Sequence, residues 1–373
     1  MIDPIKILRR AWYILWNYRT LWIFGLVLAL AAGSSTGNGS SNNSSRWQQN
    51  NNPSYQGPSY TSPQDFFNDV GRQWNNLLSQ GIPDLDITGK AFVTFLWIVG
   101  GFILFMFLIG IVVAIARYVS EVAVIRMVDE YENSGTKMTV REGFRIGWSR
   151  SAWRLFLINL IVNLPVIILM LTLLVTGVLI FIAVINNNFT FNPANIVAMS
   201  GLAFLVIFIV IILSIFLGLL RYFFWRVAAL EDAGVGESLR RGFALARENW
   251  KSVGIMWLVM IGLGIAWAIV SVIAVILTIP VVILTAVVAA IVSAVPGLLL
   301  LGIFSIFLSG PLPWIAAGIF ILPLFFTIAF SPWLLLGSWQ QVFTSTVWTL
   351  TYRELKVLPA ALIPPTDLEP VGD

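Results

Sequence analysis

The chain has 373 residues, 58% hydrophobic and 11% charged, with a mean hydropathy of +0.88. Soluble domains carry about 25% charged residues, so apolar surface on this scale calls for a bilayer rather than water. There is no cysteine and no histidine, which excludes disulfides, thiol nucleophiles, Cys/His zinc sites, Fe–S clusters, His-ligated haem and histidine acid–base catalysis.

A helix needs roughly 20 apolar residues to cross a bilayer. The first run, Leu21–Ala32, is short unless its helix begins near Trp12. Lys6, Arg9, Arg10 and Arg19 precede it and Ala29–Ala31 matches a signal-cleavage pattern, but the repeat described below predicts that the segment is retained. Residues 33–89 form a long loop whose Asn/Ser/Gly/Gln-rich part, 33–62, is expected to be disordered. Further on, Phe66, Phe67, Val70, Trp74, Leu77 and Leu78 share one face of an amphipathic helix.

The next runs are Ala91–Ala116, Leu155–Ile185 with Pro165 inside, and Ile196–Leu220. Val253–Ile279 follows, ended by Pro280, and the last is Trp314–Thr351, containing Pro323 and Pro332. The uncharged stretch 281–309 is divided at Pro296-Gly297 into pieces too short to cross comfortably. It predicts a re-entrant hairpin shielded by other helices, with two further short crossings as the alternative.

The net charge of +4 suggests nucleic acid only until the basic residues are placed. All but Arg46, Arg72 and Lys90 of the 22 Lys and Arg residues fall before the first run, between the second and third, between the fourth and fifth, and after the last. Lys and Arg at these positions set topology, so the expectation is six crossings in the cell (plasma) membrane with both termini cytoplasmic, and no nucleic-acid partner.

Three segments resemble one another: LRRAWYILWNYRTLW from Leu8, VREGFRIGWSRSAWRLF from Val140 and LRRGFALARENWKSVGIMW from Leu239. Each places an arginine (Arg9, Arg141, Arg240) two residues before a small residue (Ala11, Gly143, Gly242) and then an aromatic (Trp12, Phe144, Phe243). RYVSEVAVIRMVDE from Arg117 and RYFFWRVAALEDAG from Arg221 echo each other after the second and fourth runs, and TYRELK is a shortened version after the last. The predicted architecture is an all-α integral membrane protein of three parallel repeats, each a cytoplasmic interfacial amphipathic helix followed by two transmembrane helices. The units are 1–116, 117–235 and 236–358, with a disordered cytoplasmic tail at 359–373.

No catalytic constellation appears, so no enzyme activity and no cofactor or metal is expected. The crossings carry no charge in their central parts, which counts against ion-coupled transport. Asn159 and Asn163 share a helix face ahead of Pro165; they either line a polar cavity or hydrogen-bond between helices. Arg9, Arg10, Arg141, Arg145, Arg240, Arg241, Arg247 and Lys251 mark a surface for anionic lipid headgroups or for an unidentified protein partner.

The opening DPIKILRRAWYILWNYRTLWIFG, the LRRGFALARENW segment and the closing TSTVWTLTYREL resemble a broad group of poorly characterised prokaryotic polytopic membrane proteins. They are similar to the membrane domain attached to some glycerophosphoryl diester phosphodiesterases. The resemblance spans most of the chain outside the long loop. No phosphodiesterase domain is present, so the resemblance implies neither that activity nor any site residue. The expected function is a non-catalytic membrane scaffold or accessory subunit; the alternative is a transporter or lipid-handling protein without ion-coupling residues.

Overall fold

The computed structural model describes residues 2–33, 71–72, 75–76, 79, 89–185 and 193–361. Phe66, Phe67, Val70, Trp74, Leu77 and Leu78, the stretch 34–62 expected to be disordered, and residues 362–373 of the expected tail lie outside them, while residues 359–361 of that tail continue the last helix. Among the described residues every regular element is helical.

Three short helices carry clusters of basic residues. α1 (Pro4–Asn17) starts on Asp3, whose carboxylate accepts from the backbone N–H groups of Ile5 and Lys6 at 3.0 and 3.3 Å, with proline in the first turn. It buries Ile7, Ala11, Ile14 and Leu15 at helical spacing and leaves Trp12, Tyr13 and Trp16 exposed. α4 (Val140–Gly147) is set by a capping box between Thr139 and Glu142. α7 (Val235–Glu248) buries Ser238, Gly242 and Ala246 and exposes Phe243.

Each short helix leads into an apolar one: α2 (Thr20–Gly33), α5 (Arg150–Ile185) and α8 (Trp250–Phe307). The chain comes back through α3 (Gly89–Ser134), α6 (Pro193–Leu230), and the pair α9 (Leu312–Ala329) and α10 (Ser331–Ala361). α2 packs on α3, α5 on α6 and α8 on α9. The short helices pack differently. α4 lies on α3, α7 on α6 and α1 on α10, so α4 and α7 each rest on the long helix that precedes them, and the first helix meets the last.

Among the described residues five helices are long and apolar enough to cross a membrane: α3, α5, α6, α8 and α9. A sixth span is counted if α1 and α2, which meet at 100°, are taken together. The chain is a membrane-spanning protein. The break at Tyr18 and Arg19 starts α2 at Thr20, so the first apolar helix does not begin at Trp12.

The stretch 281–309 departs from expectation. α8 runs unbroken from Trp250 through Pro280 and Pro296, with no reversal at Pro296-Gly297. The chain turns at Leu308–Pro311, where Gly310 takes a φ of +66°. This is neither a re-entrant hairpin nor two extra crossings. Each proline removes one helical donor, and an apolar surround offers the freed carbonyl nothing better than helical geometry. The last run is likewise split at Phe330, and Pro332 sits in the first turn of α10, where a missing N–H costs little.

The core sits at the basic end. Its buried residues come from α1, α2 and α7, the C-terminal parts of α3, α6 and α10, and the starts of α5 and α8. The most apolar stretch of α3 has no buried residue, and that of α8 only 6%. Hydrophobic association gains little inside lipid, which is as apolar as leucine, and much where water reaches. A small second cluster of Phe92, Leu308, Leu312 and Ala316 pins the α8–α9 turn to the start of α3.

α2 and α10 cross at Gly25, where an added Cβ would lie 2.5 Å from Val342 Cγ2 and 2.7 Å from the Ser338 carbonyl oxygen. Gly25→Ala should therefore lower stability by about 1–3 kcal/mol through overpacking. Gly110→Ala, which meets nothing within 4 Å, should leave it unchanged. Thermal unfolding of both variants in the same detergent compares them.

Candidate functional site

The three returning helices α3, α6 and α10 converge at the basic end, and Arg226 of α6 lies fully buried between them. Its Nη1 donates to the Tyr222 carbonyl at 3.0 Å, and its Nη2 to Ser345 O at 2.9 Å and Ser345 Oγ at 3.3 Å. The Ser345 hydroxyl donates to Glu121 Oε1 at 2.8 Å, which itself stands 3.8 Å from Arg226 Nη2. One buried polar node thus takes Glu121 from α3, Arg226 from α6 and Ser345 from α10. Arginine keeps its charge in proteins, so removing either charged partner leaves the other uncompensated.

A wider set of contacts surrounds this node. Arg126 of α3 donates to the Ala229 carbonyl at 2.8 Å and the Ile146 carbonyl at 3.3 Å. It also reaches Asp232 Oδ1 at 2.7 Å, and Asp232 accepts from Ser151 as well. Arg353 of α10 pairs with Asp129 of α3 and donates to Asn133 at 2.7 Å. Tyr352 and Lys356 of α10 donate to Glu231, which also pairs with Arg241 of α7. The acidic pairs Asp129-Glu130 and Glu231-Asp232 therefore sit where the returning helices are tied to one another.

Burial opposes charge on Glu231, but hydrogen bonds from Tyr352, Lys356 and Arg241 outweigh it and hold the carboxyl below its ordinary value of 4.5. Burial and the Glu231 contact push the Tyr352 phenol far up.

Asn159 hydrogen-bonds between helices, whereas among the described residues Asn163 bonds only within α5. Asn159 donates to Tyr118 Oη at 2.9 Å and accepts from Arg221 at 3.1 Å, joining α5 to α3 and α6. Asn163 donates to Asn159 Oδ1 at 3.1 Å. A cavity of about 60 Å³ lies between Arg117, Glu121, Arg221, Gln341, Thr344 and Ser345, room for about two water molecules.

The basic residues of the sequence surface are exposed on the three short helices and at the start of α8. Arg9 and Arg10 line a groove of about 590 Å³ with Lys6, Tyr13 and Arg353, and Arg10 pairs with Glu132 at 2.7 Å. Arg141 and Arg145 line another groove on α4. Arg240, Arg241 and Arg247 lie on α7, and Lys251 stacks over Trp250.

The node itself escaped the sequence reading. Its signal was a single arginine inside the apolar run YFFWRVAAL, flanked on both sides by residues that belong in a core.

A family model matches residues 14–354. The chain belongs to the family of unknown function DUF7544. The match begins in the last turn of α1 and ends within α10, so it takes in α4, α7 and the node, and it names no phosphodiesterase. No curated protein and no solved structure matches the chain.

Arg226→Met should destabilise the protein by about 3–5 kcal/mol, because Glu121 is left buried without its cation. Adding Glu121→Gln should recover part of that loss, as measured by thermal melts of the single and double variants. A depressed carboxyl contributes stability that is present above its unfolded pKa and lost as pH falls through the folded one. Stability should therefore decline below about pH 4.5, and Tyr352→Phe, which removes one of the donors holding Glu231 down, should shrink that acid-sensitive component in melts run across the acidic range.

Proposed function

We propose that this protein is a non-catalytic scaffold of the cell membrane, crossing it six times with both termini cytoplasmic. The single observation that carries this reading is the division of the molecule into a filled, ion-paired hub and apolar helices that leave most of their side chains exposed. Phe204 and Phe208 on α6, for example, stack on each other at 6.4 Å and remain 72% and 53% exposed. Exposed apolar faces on several helices fit lateral contact with lipid and with other membrane helices.

In this reading the units 1–116, 117–235 and 236–358 are parallel repeats about an axis along the membrane normal, the short helices lie in the cytoplasmic interface, and 359–373 is a tail on the same side. The circular placement of α4 on α3, α7 on α6 and α1 on α10 supports the repeat. So does the common exposure of Trp12, Phe144 and Phe243 beside the buried Ala11, Gly143 and Gly242. The basic residues of these helices hold anionic headgroups. In this reading the protein needs no cofactor, binds no nucleic acid, and is akin to the membrane domain that some glycerophosphoryl diester phosphodiesterases carry.

A second reading, lipid handling, is favoured by a groove of about 460 Å³ between α3 and α5. Two measurements separate the readings. The scaffold should retain a membrane protein at fixed stoichiometry when purified from native membranes, and Phe204→Ala/Phe208→Ala should weaken that retention without lowering the melting temperature. Purified protein in liposomes should not exchange fluorescent lipid between leaflets; exchange would overturn the scaffold in favour of lipid handling.

A further inference from the structure

We infer that α3, α4 and α5 form a discrete binding site for one anionic phospholipid. This deepens the headgroup-anchoring part of the proposed function by assigning a defined site with an acyl-chain slot. Two cavities meet at Trp148, which lines both. The first is a basic mouth of about 910 Å³ on α4, lined by Arg141, Arg145, Thr139 and Glu142. The second is the groove between α3 and α5, lined by Ile111, Ala114, Ile115, Ala152, Trp153 and Phe156.

Polarity is graded along this path. Arg141 has no hydrogen-bond or ion-pair partner among the described residues, and Arg145 is an electrostatic neighbour of Glu142 alone. The Glu142 carboxylate is occupied by the Thr139 capping box, so the mouth, with two arginines and one carboxylate, keeps an excess positive charge. Next comes an aromatic step, with Phe144 and Trp148 rings 5.7 Å apart. At the same level the Ser149 hydroxyl is buried in the groove wall with no partner among the described residues. An ester or phosphate oxygen there would accept its proton. Beyond it the walls are apolar, with Trp153 and Phe156 stacked at 5.0 Å.

The order of levels is fixed by packing. Gly143 abuts Met127 and Gly147 abuts Val119, so the mouth lies toward the charged end of α3 and the slot extends away from it. From Val119 to Ile111 the slot covers about 12 Å of helix rise, close to the roughly 15 Å of one leaflet's hydrocarbon. A cation, an aromatic collar, an unpaired donor and a leaflet-deep slot together match an anionic headgroup, glycerol ester and acyl chain. A second copy of the chain would not supply the anion from its longest apolar part, since no acidic residue occurs from Ser252 to Tyr352.

The test is native mass spectrometry of the full chain released from nanodiscs of equal phosphatidylglycerol and phosphatidylcholine. The site predicts one retained phosphatidylglycerol per chain. Arg141→Gln/Arg145→Gln should weaken it by about thirtyfold, the sum of two interfacial basic side chains, while Arg240→Gln/Arg247→Gln on α7, which meet headgroups without this slot beneath them, should cost it far less. Ala152→Phe, filling the slot, should remove retention of either lipid; the exposed arginine variants keep the proposal testable if that variant does not fold. Equal retention of both lipids by the native chain would overturn the site. So would equal losses in the two arginine double variants, which would leave only diffuse headgroup anchoring and the wider proposed function intact. Cross-linking between copies through Ala114→Cys in the cysteine-free chain would show a second copy in the slot and would also overturn it.

Discussion

Arg226 carries a charge that it cannot shed, in a position that water does not reach. Everything packed around it has to be consistent with that fact. The Tyr222 and Ser345 carbonyls accept its protons, the Ser345 hydroxyl bridges it to Glu121, and each partner comes from a different part of the chain. A buried ion pair contributes little net stability against a well-packed apolar substitute, but it tolerates few alternative arrangements. Its value here is in register: α3, α6 and α10 cannot slide or rotate against one another without leaving a bare charge. The surrounding contacts of Arg126, Arg353 and Glu231 fix the same three helices a second time, nearer to the surface.

This concentration of specific contacts at one end follows from the two solvents the chain meets. Inside hydrocarbon, helices gain little by touching, so α5 and α8 leave most apolar side chains outward. At the basic end, burying Ile14, Leu155 or Met256 removes them from contact with water and headgroups, each worth about 1.5–3 kcal/mol. Small residues let the short helices come close enough for this. Gly242 lies so near Phe224 that an added Cβ would stand 2.6 Å from its ring. The arginines of the same helices lie on the opposite, exposed faces.

Much of this could be read from residue order alone. Apolar runs without charge located the spans, and the shared small-aromatic spacing at Ala11-Trp12, Gly143-Phe144 and Gly242-Phe243 located the three short helices. Two things were hidden for physical reasons. Prolines were read as breaks, yet Pro280 and Pro296 stay inside α8, because a lipid-facing backbone has no water to turn to. The node was hidden because spacing along one chain cannot show that Glu121, Arg226 and Ser345, more than a hundred residues apart in succession, face a common point. Arg226 looked like one more basic residue at the end of a span.

The length of α8 has a mechanical consequence. Its 58 residues rise about 87 Å, nearly three times a hydrocarbon slab of about 30 Å. Upright, it would carry tens of ångströms of apolar surface out of the far side of the bilayer. Tilt within the usual range of up to about 40° does not absorb the excess. The surplus has to be taken up by bending at the prolines, by thickening the surrounding lipid, or by other protein. Each of these costs an energy that changes with membrane thickness, on the order of tenths of a kcal/mol per Å. The strain in the α8–α9 hairpin would therefore differ between thin membranes and thick ones.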